Sequence, residues 1–244
     1  MDTSDINVSS LPSAVQPAVR TLAELLLDSA SGNLLSFAVF GPVLSDDFDP
    51  RRMPIRSAAV LERMDLALID GLRSHGPRLG RQHLQAPLFM TTEYIEQSRD
   101  SFPIELLEIQ CSNALILGRD CFGSLEFSRP DVRLQCEREL KVAQIALRQG
   151  LLSAHKDSLI SPLLAAAAEQ TLRVLRAVLW LRDVKAKTPR DAVGLITAAG
   201  NLTSQSLTGL KDCLTPSRKA DLLRFQQVYA EIEALSKYIN EITY

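Results

Sequence analysis

The chain has little of what most specialised sites are built from. Its 244 residues include four cysteines, three histidines and one tryptophan. Cys111, Cys121, Cys136 and Cys213 form no CxxC pair and stand at no zinc-ligand spacing from a histidine. That argues against a zinc site and a dense disulfide framework, and leaves buried free thiols as the expectation. Three histidines are too few for a histidine-metal centre. Charge of one sign is also missing. With 27 Lys plus Arg against 29 Asp plus Glu the net charge is -2, so no broad field exists to hold nucleic acid or a membrane surface. The longest apolar stretch, around Leu163 to Ala168, is far too short to span a bilayer. Met1 to Ser10 is polar and acidic, unlike a secretory signal, which makes cytoplasm the expected compartment. A Walker loop, a dinucleotide fingerprint and a Ser-His-Asp signature are all missing.

What is present is a core. Hydrophobic residues make up 46% of the chain, enough for one large or two small packed domains. In the first half, helix and strand patterns alternate. Leu11 to Ser29 repeats Leu22, Leu25 and Leu26 at helical spacing, with Gly32 placed to stop it. Asn33 to Phe40 is a short apolar run closed by Gly41-Pro42, as a buried strand ends in a turn. After a polar loop, Leu44 to Arg52, a second strand is expected over Ile55 to Leu61. A helix follows over Glu62 to Leu72, with a break at Gly76-Pro77. Ala86 to Met90 reads as a strand and Thr91 to Arg99 as a Thr-capped helix. Pro103 to Ile109 reads as a strand able to pair with Asn113 to Leu117.

From Ser128 onward the pattern is helical. Ser128 with Asp131, Ser161-Pro162, Thr188-Pro189 and Thr215-Pro216 supply helix-start chemistry. The last helix repeats Leu222, Phe225, Tyr229, Ile232, Leu235, Ile239 and Ile242 in steps of three and four, a seam that needs an apolar neighbour. The expected fold class is α+β: an α/β-type N-terminal half with a mixed sheet over residues 1–127, then an all-α helical bundle over 128–244.

The run from Phe40 through Gly41, Pro42 and Val43 to Asp46-Asp47-Phe48-Asp49-Pro50 is similar to a Gly-Ser, loop, Asp-Phe arrangement. Pro103-Ile104-Glu105-Leu106-Leu107-Glu108-Ile109 resembles a strand bearing a further carboxylate, with Glu105 the best positional match and Glu108 the second. Leu117 to Asp120 resembles the strand after it. Together these resemble the polymerase-β-like nucleotidyltransferases, in particular the bacterial aminoglycoside adenylyltransferases and the minimal nucleotidyltransferases, over residues 10–127.

The resemblance implies a site in which two carboxylates at i and i+2 on one strand, and a third on a later strand, hold two magnesium ions. This chain departs from that pattern. Pro42 stands where the family has Ser, and it has neither a hydroxyl nor a backbone N–H to offer a phosphate. Pro54 and Arg56 stand where the paired carboxylates belong, and a guanidinium repels magnesium. The expectation is a catalytically degenerate nucleotidyltransferase-like protein with a binding or regulatory role. Gly41, Pro42 and Arg56 would then form a vestigial nucleotide site, with a protein or a nucleotide as partner and no cofactor. An ion pair is expected between Arg56 and Glu105, with Glu108 as substitute.

The alternative is an active nucleotidyltransferase acting on a small molecule or protein. It would use Asp47, Asp49 and Glu105 with Mg2+ and a nucleoside triphosphate. A more distant reading, a toxin–antitoxin type helical ribonuclease, takes Arg148 and His155 as its pair, although Gly150 interrupts their helix. A surface His and a helix-end Arg are expected instead. The basic loop holding Arg73, His75, Arg78, Arg81 and His83 is expected to be solvated, and Trp180 to be a helix-packing aromatic.

Overall fold

The computed structural model describes residues 1–30, 32–45, 48–51, 53–184, 194, 207–213 and 221–242. The chain divides into two compact units. One comprises Met1–Arg99 and Glu105–Glu126, the other Asp100–Ile104 and Phe127–Tyr244.

The first unit is built on a four-stranded sheet. Helix α1 (Gln16–Ala30) buries Ala18, Val19, Leu22, Ala23, Leu26 and Ala30 along one stripe, the signature of a helix laid on a sheet. It ends before Gly32, whose φ of +86° reverses the chain at no steric cost. Strands β1 (Leu34–Phe40), β2 (Arg56–Leu61), β3 (Leu88–Thr91) and β4 (Asn113–Gly118) are ordered β3-β2-β1-β4. β1 is antiparallel to both neighbours and β3 is parallel to β2, so the sheet is mixed. β1 is buried on both faces, which is why it reads as a near-continuous apolar run. Its Phe37 and Val39 face the core that α1 completes.

Between the strands lie α2 (Leu66–Leu72), α3 (Gly76–Arg81), α4 (Thr92–Gln97) and α5 (Pro103–Cys111). Thr91 caps α4 by accepting from the Tyr94 N–H, as its position predicts. Gly76-Pro77 opens α3 instead of breaking a helix, because a proline at the first turn forfeits no intrahelical bond. The basic segment around it is thus a pair of short helical turns.

The larger correction is α5. The expected strand Pro103 to Ile109 is a helix, and it buries Ile104, Leu106, Leu107, Glu108 and Ile109. An apolar run this short satisfies either period, and capping settles it: the Gln135 Oε1 accepts from the Ile104 N–H at 2.7 Å.

The second unit is helical: α6 (Arg129–Ser153), α7 (Ile160–Leu181), α8 (Thr208–Cys213) and α9 (Leu222–Asn240). α6 packs along α7 and α9. The α9 seam is largely as expected, with Phe225, Ile232, Leu235, Ile239 and Ile242 buried, while Leu222 is half exposed. Helix starts differ in detail. Ser128 holds the N-cap position of α6 without a side-chain bond, and α7 begins at Ile160, which places Ser161 inside its first turn. Thr188-Pro189 and Thr215-Pro216 lie outside the described residues.

Gly150 does not interrupt α6. A Cβ there would meet Leu163 Cδ1 at 2.4 Å, so this glycine lets α7 approach closely. Trp180 is half-buried. It meets Phe127 edge to face at 6.3 Å and carries the Arg129 guanidinium 5.5 Å from its ring, and Arg129 also donates to the Leu181 carbonyl at 2.6 Å. No helix among the described residues is long and apolar enough to cross a membrane.

Candidate functional site

Three segments meet at the C-terminal end of β1. Phe40 pairs with Arg56 of β2 on one side and with Asn113 of β4 on the other. The chain then turns at Gly41, with a φ of +82°, into a helical turn, Gly41–Leu44, that carries Pro42 near its start. The Gly41 N–H donates to the Ser112 carbonyl at 3.0 Å, which ties this turn to the end of α5.

Arg56 lies at the centre of the cluster. Its Nη1 donates to Glu108 Oε2 at 2.7 Å, and its guanidinium carbon stands 4.5 Å from the centroid of the Phe40 ring. The Glu108 side chain is 4% exposed and that of Arg56 is 18% exposed. A carboxylate so thoroughly removed from water needs a countercharge, and a planar guanidinium supplies both charge and hydrogen bonds. Gly41 leaves room for this pair, since a Cβ on it would stand 3.3 Å from Glu108 Oε1 and 3.6 Å from Arg56 Nη1.

Gly41, Pro42 and Arg56, named from sequence, are thus brought together. The ion pair expected between Arg56 and Glu105 is formed with Glu108, the residue named as substitute. The helical conformation explains this: Glu105 and Glu108 lie three residues apart on neighbouring turns of α5, whereas a strand would have pointed them to opposite faces. Glu105 lies in the first turn of α5 and is half-buried. Asp49 shapes the loop, its Oδ1 accepting from the Arg51 N–H at 3.0 Å and its carbonyl from the Met53 N–H at 2.9 Å. Asp47 lies outside the described residues. Among the described residues, no group of three or more His, Cys, Asp and Glu side chains is arranged to hold a metal ion.

The remaining candidates are dispersed. Arg148 lies near the end of α6, its Nε bonded to the Gln144 carbonyl, while His155 lies beyond the helix and is exposed. Of the cysteines only Cys136 is fully buried. Cys121 and Cys213 are half-buried and Cys111 is exposed, against the expectation of buried thiols. An open groove of about 500 Å³ lies at the other end of β1, lined by Met1, Asp5, Leu34, Leu35, Gly118 and Arg119. Gly118 and Arg119 belong to the Leu117 to Asp120 run named from sequence, but none of the candidate catalytic or nucleotide-binding residues lines the groove.

No family model matches the sequence, and no curated protein matches it either. Among solved structures, the fold is similar to that of spectinomycin adenyltransferase AAD(9) from Enterococcus faecialis, crystallised with ATP and spectinomycin. The TM-score is 0.58, with 92% of this chain and 99% of that chain covered, at 11% sequence identity. At that identity the likeness is one of fold.

Proposed function

We propose that this chain is a nucleotidyltransferase-fold protein that binds without transferring, a degenerate member serving a binding or regulatory role. The observation that carries this reading is the position of Arg56. It opens β2, the strand on which the resemblance calls for paired carboxylates, and its guanidinium lies 2.7 Å from the carboxylate of Glu108. A divalent cation at that point would face a fixed positive charge and a Glu108 carboxylate already engaged with Arg56. Pro54 and Pro42 add nothing, one lacking a ligand atom and the other a phosphate donor. This donor set does not fit a pair of magnesium ions.

The similar adenyltransferase holds ATP, which makes a nucleotide the first ligand to test, with a protein partner as the second. The test uses the full chain with magnesium and each of the four nucleoside triphosphates labelled at the α-phosphate. The expected result is no transfer to small molecules or protein, with calorimetry reading any retained nucleotide affinity. Robust transfer lost in Asp47→Ala or Asp49→Ala would establish the rival reading of an active enzyme built on Asp47, Asp49 and Glu105.

A further inference from the structure

We propose that the end of the sheet holding Arg56 binds a phosphate chain free of metal, an inference that rests on binding without transfer as read above. The residues beside Arg56 come from the stretch after α3. The Ile55 N–H donates to the His83 carbonyl at 2.8 Å and the Gln85 N–H to the Ile55 carbonyl at 3.0 Å, so Leu84 and its neighbours lie parallel to the start of β2. Ile55 and Leu84 both enter the core under α1. Alternation then turns Gln85 with Arg56 to the opposite face, and His83 falls beside Pro54. Pro54 and Arg56 hold the two positions where the resemblance calls for carboxylates. Their neighbours are an imidazole and an amide, both exposed.

Donors and cations collect there. Arg56 meets Glu108 through Nη1, which leaves Nη2 and Nε able to donate. Glu108 balances the charge of Arg56, and Arg81, exposed two residues before His83, adds another in a stretch with no acidic residue between Asp70 and Glu93. The backbone singles out His83. The N–H groups of His83 and Leu84 return to the carbonyls of Gly80 and Leu79, at 3.0 and 3.1 Å, closing α3 in a Schellman turn that favours glycine at its left-handed position. The chain places His83 there, at a φ of +59°. An imidazole held where glycine would be unstrained is the kind of feature that gathers at binding sites. A phosphate chain fits this set, because guanidinium, imidazole and amide N–H groups donate to its oxygens. Its magnesium complex does not, since it brings a cation against the fixed charge of Arg56.

The experiment titrates the full chain by calorimetry, with a chelator present, first with inorganic tripolyphosphate and then with ATP. Both should bind, and excess magnesium should weaken each by about fivefold or more. Equal affinities assign the site to the phosphate chain alone, and tighter ATP adds a nucleoside contact. Gln85→Glu and Arg81→Glu, at exposed positions, should each weaken binding by about fivefold or more and leave the melting temperature in place. His83→Asn, which tolerates the left-handed conformation, should weaken it as well. Lys237→Glu, on α9, changes the net charge as much as Arg81→Glu and should leave binding as it is. No binding of either anion at millimolar concentration would overturn the proposal. So would affinity that rises with magnesium, or equal losses in Lys237→Glu and Arg81→Glu. The magnesium response of the native chain decides even where a variant fails to fold. Nucleotide transfer in the labelling assay would instead overturn the reading on which this one rests.

Discussion

Arg56 Nη1 donates to Glu108 Oε2 at 2.7 Å, joining the first residue of β2 to α5 across 52 positions of sequence, with Phe40 beneath the guanidinium. The two partners are unequally buried, and the consequences of removing them differ accordingly. Arg56→Met leaves a carboxylate that is 4% exposed without its guanidinium, while Glu108→Leu leaves a cation that is 18% exposed and able to draw on solvent. Arg56→Met is expected to cost about 3 kcal/mol and Glu108→Leu distinctly less. The double variant should be more stable than Arg56→Met alone, because the stranded charge is gone. Urea unfolding of the three variants measures this, and equal costs for the two single variants would remove the argument from burial.

Gly118 ends β4 with a φ of +83°, and a Cβ on it would lie 2.2 Å from the Leu35 carbonyl oxygen. Backbone cannot swing aside as a side chain can. Gly118→Ala should therefore cost about 3 kcal/mol or more, from left-handed strain and overlap together. Gly32, at +86°, has open space around it, so Gly32→Ala should cost only about 1 kcal/mol from the backbone conformation. Comparing the two melting curves separates steric overlap from dihedral strain. Similar losses in both variants would show that the Leu35 contact contributes nothing.

Glu231 of α9 accepts from the N–H groups of Gly209 and Leu210, each at 2.8 Å, and so holds α8 in place. Burial pushes its carboxyl above the ordinary value, outweighing the opposing bonds from Leu210, Gly209 and Gln227 and the nearby charge of Arg224. In the interval between the unfolded and folded values, the unfolded chain has released the proton and the folded chain still holds it. The contribution of Glu231 to stability is thus fully present below the unfolded value and is lost as pH rises through the folded one. The melting temperature should carry a component that declines from about pH 4 upward, near the ordinary carboxylate range. That component should be missing in Glu231→Gln. Calorimetry across this range decides the matter, and parallel pH profiles for the two proteins would contradict it.

The sheet was legible because β1 and β2 are apolar runs bounded by Gly41-Pro42 and by polar loop residues, signals that depend on local chemistry. α5 was not. Pro103 to Ile109 carries apolar residues on every side, so its own pattern selects neither period, and the bond that meets its first turn comes from Gln135, 31 positions away. The site follows the same element: in a strand Glu105 is the better match, while in the helix Glu108 is the glutamate that meets Arg56. Gly150 shows the opposite failure. Propensity alone makes it a helix breaker, but its place against Leu163 makes it a contact point.

If the Arg56 guanidinium stands where a metal ion would, reversing its charge should create a cation site. Arg56→Asp combined with Pro54→Asp places one new carboxylate at the start of β2, beside Glu108, and a second two residues before it, the i, i+2 spacing that divalent ions use. Without metal these carboxylates repel, and the variant should melt below the native chain. Manganese should reverse that loss. At one hundred times its dissociation constant a bound ion stabilises by about 2.7 kcal/mol, enough to raise the melting temperature by roughly 5 to 10 °C in a chain of this size. Electron paramagnetic resonance of Mn2+ reads the bound ion directly. The native chain, with Arg56 already paired to Glu108, should show neither effect. A variant that neither binds manganese nor gains stability from it would mean that β2 and α5 do not present a metal geometry, and that Arg56 is a packing residue with no inherited position.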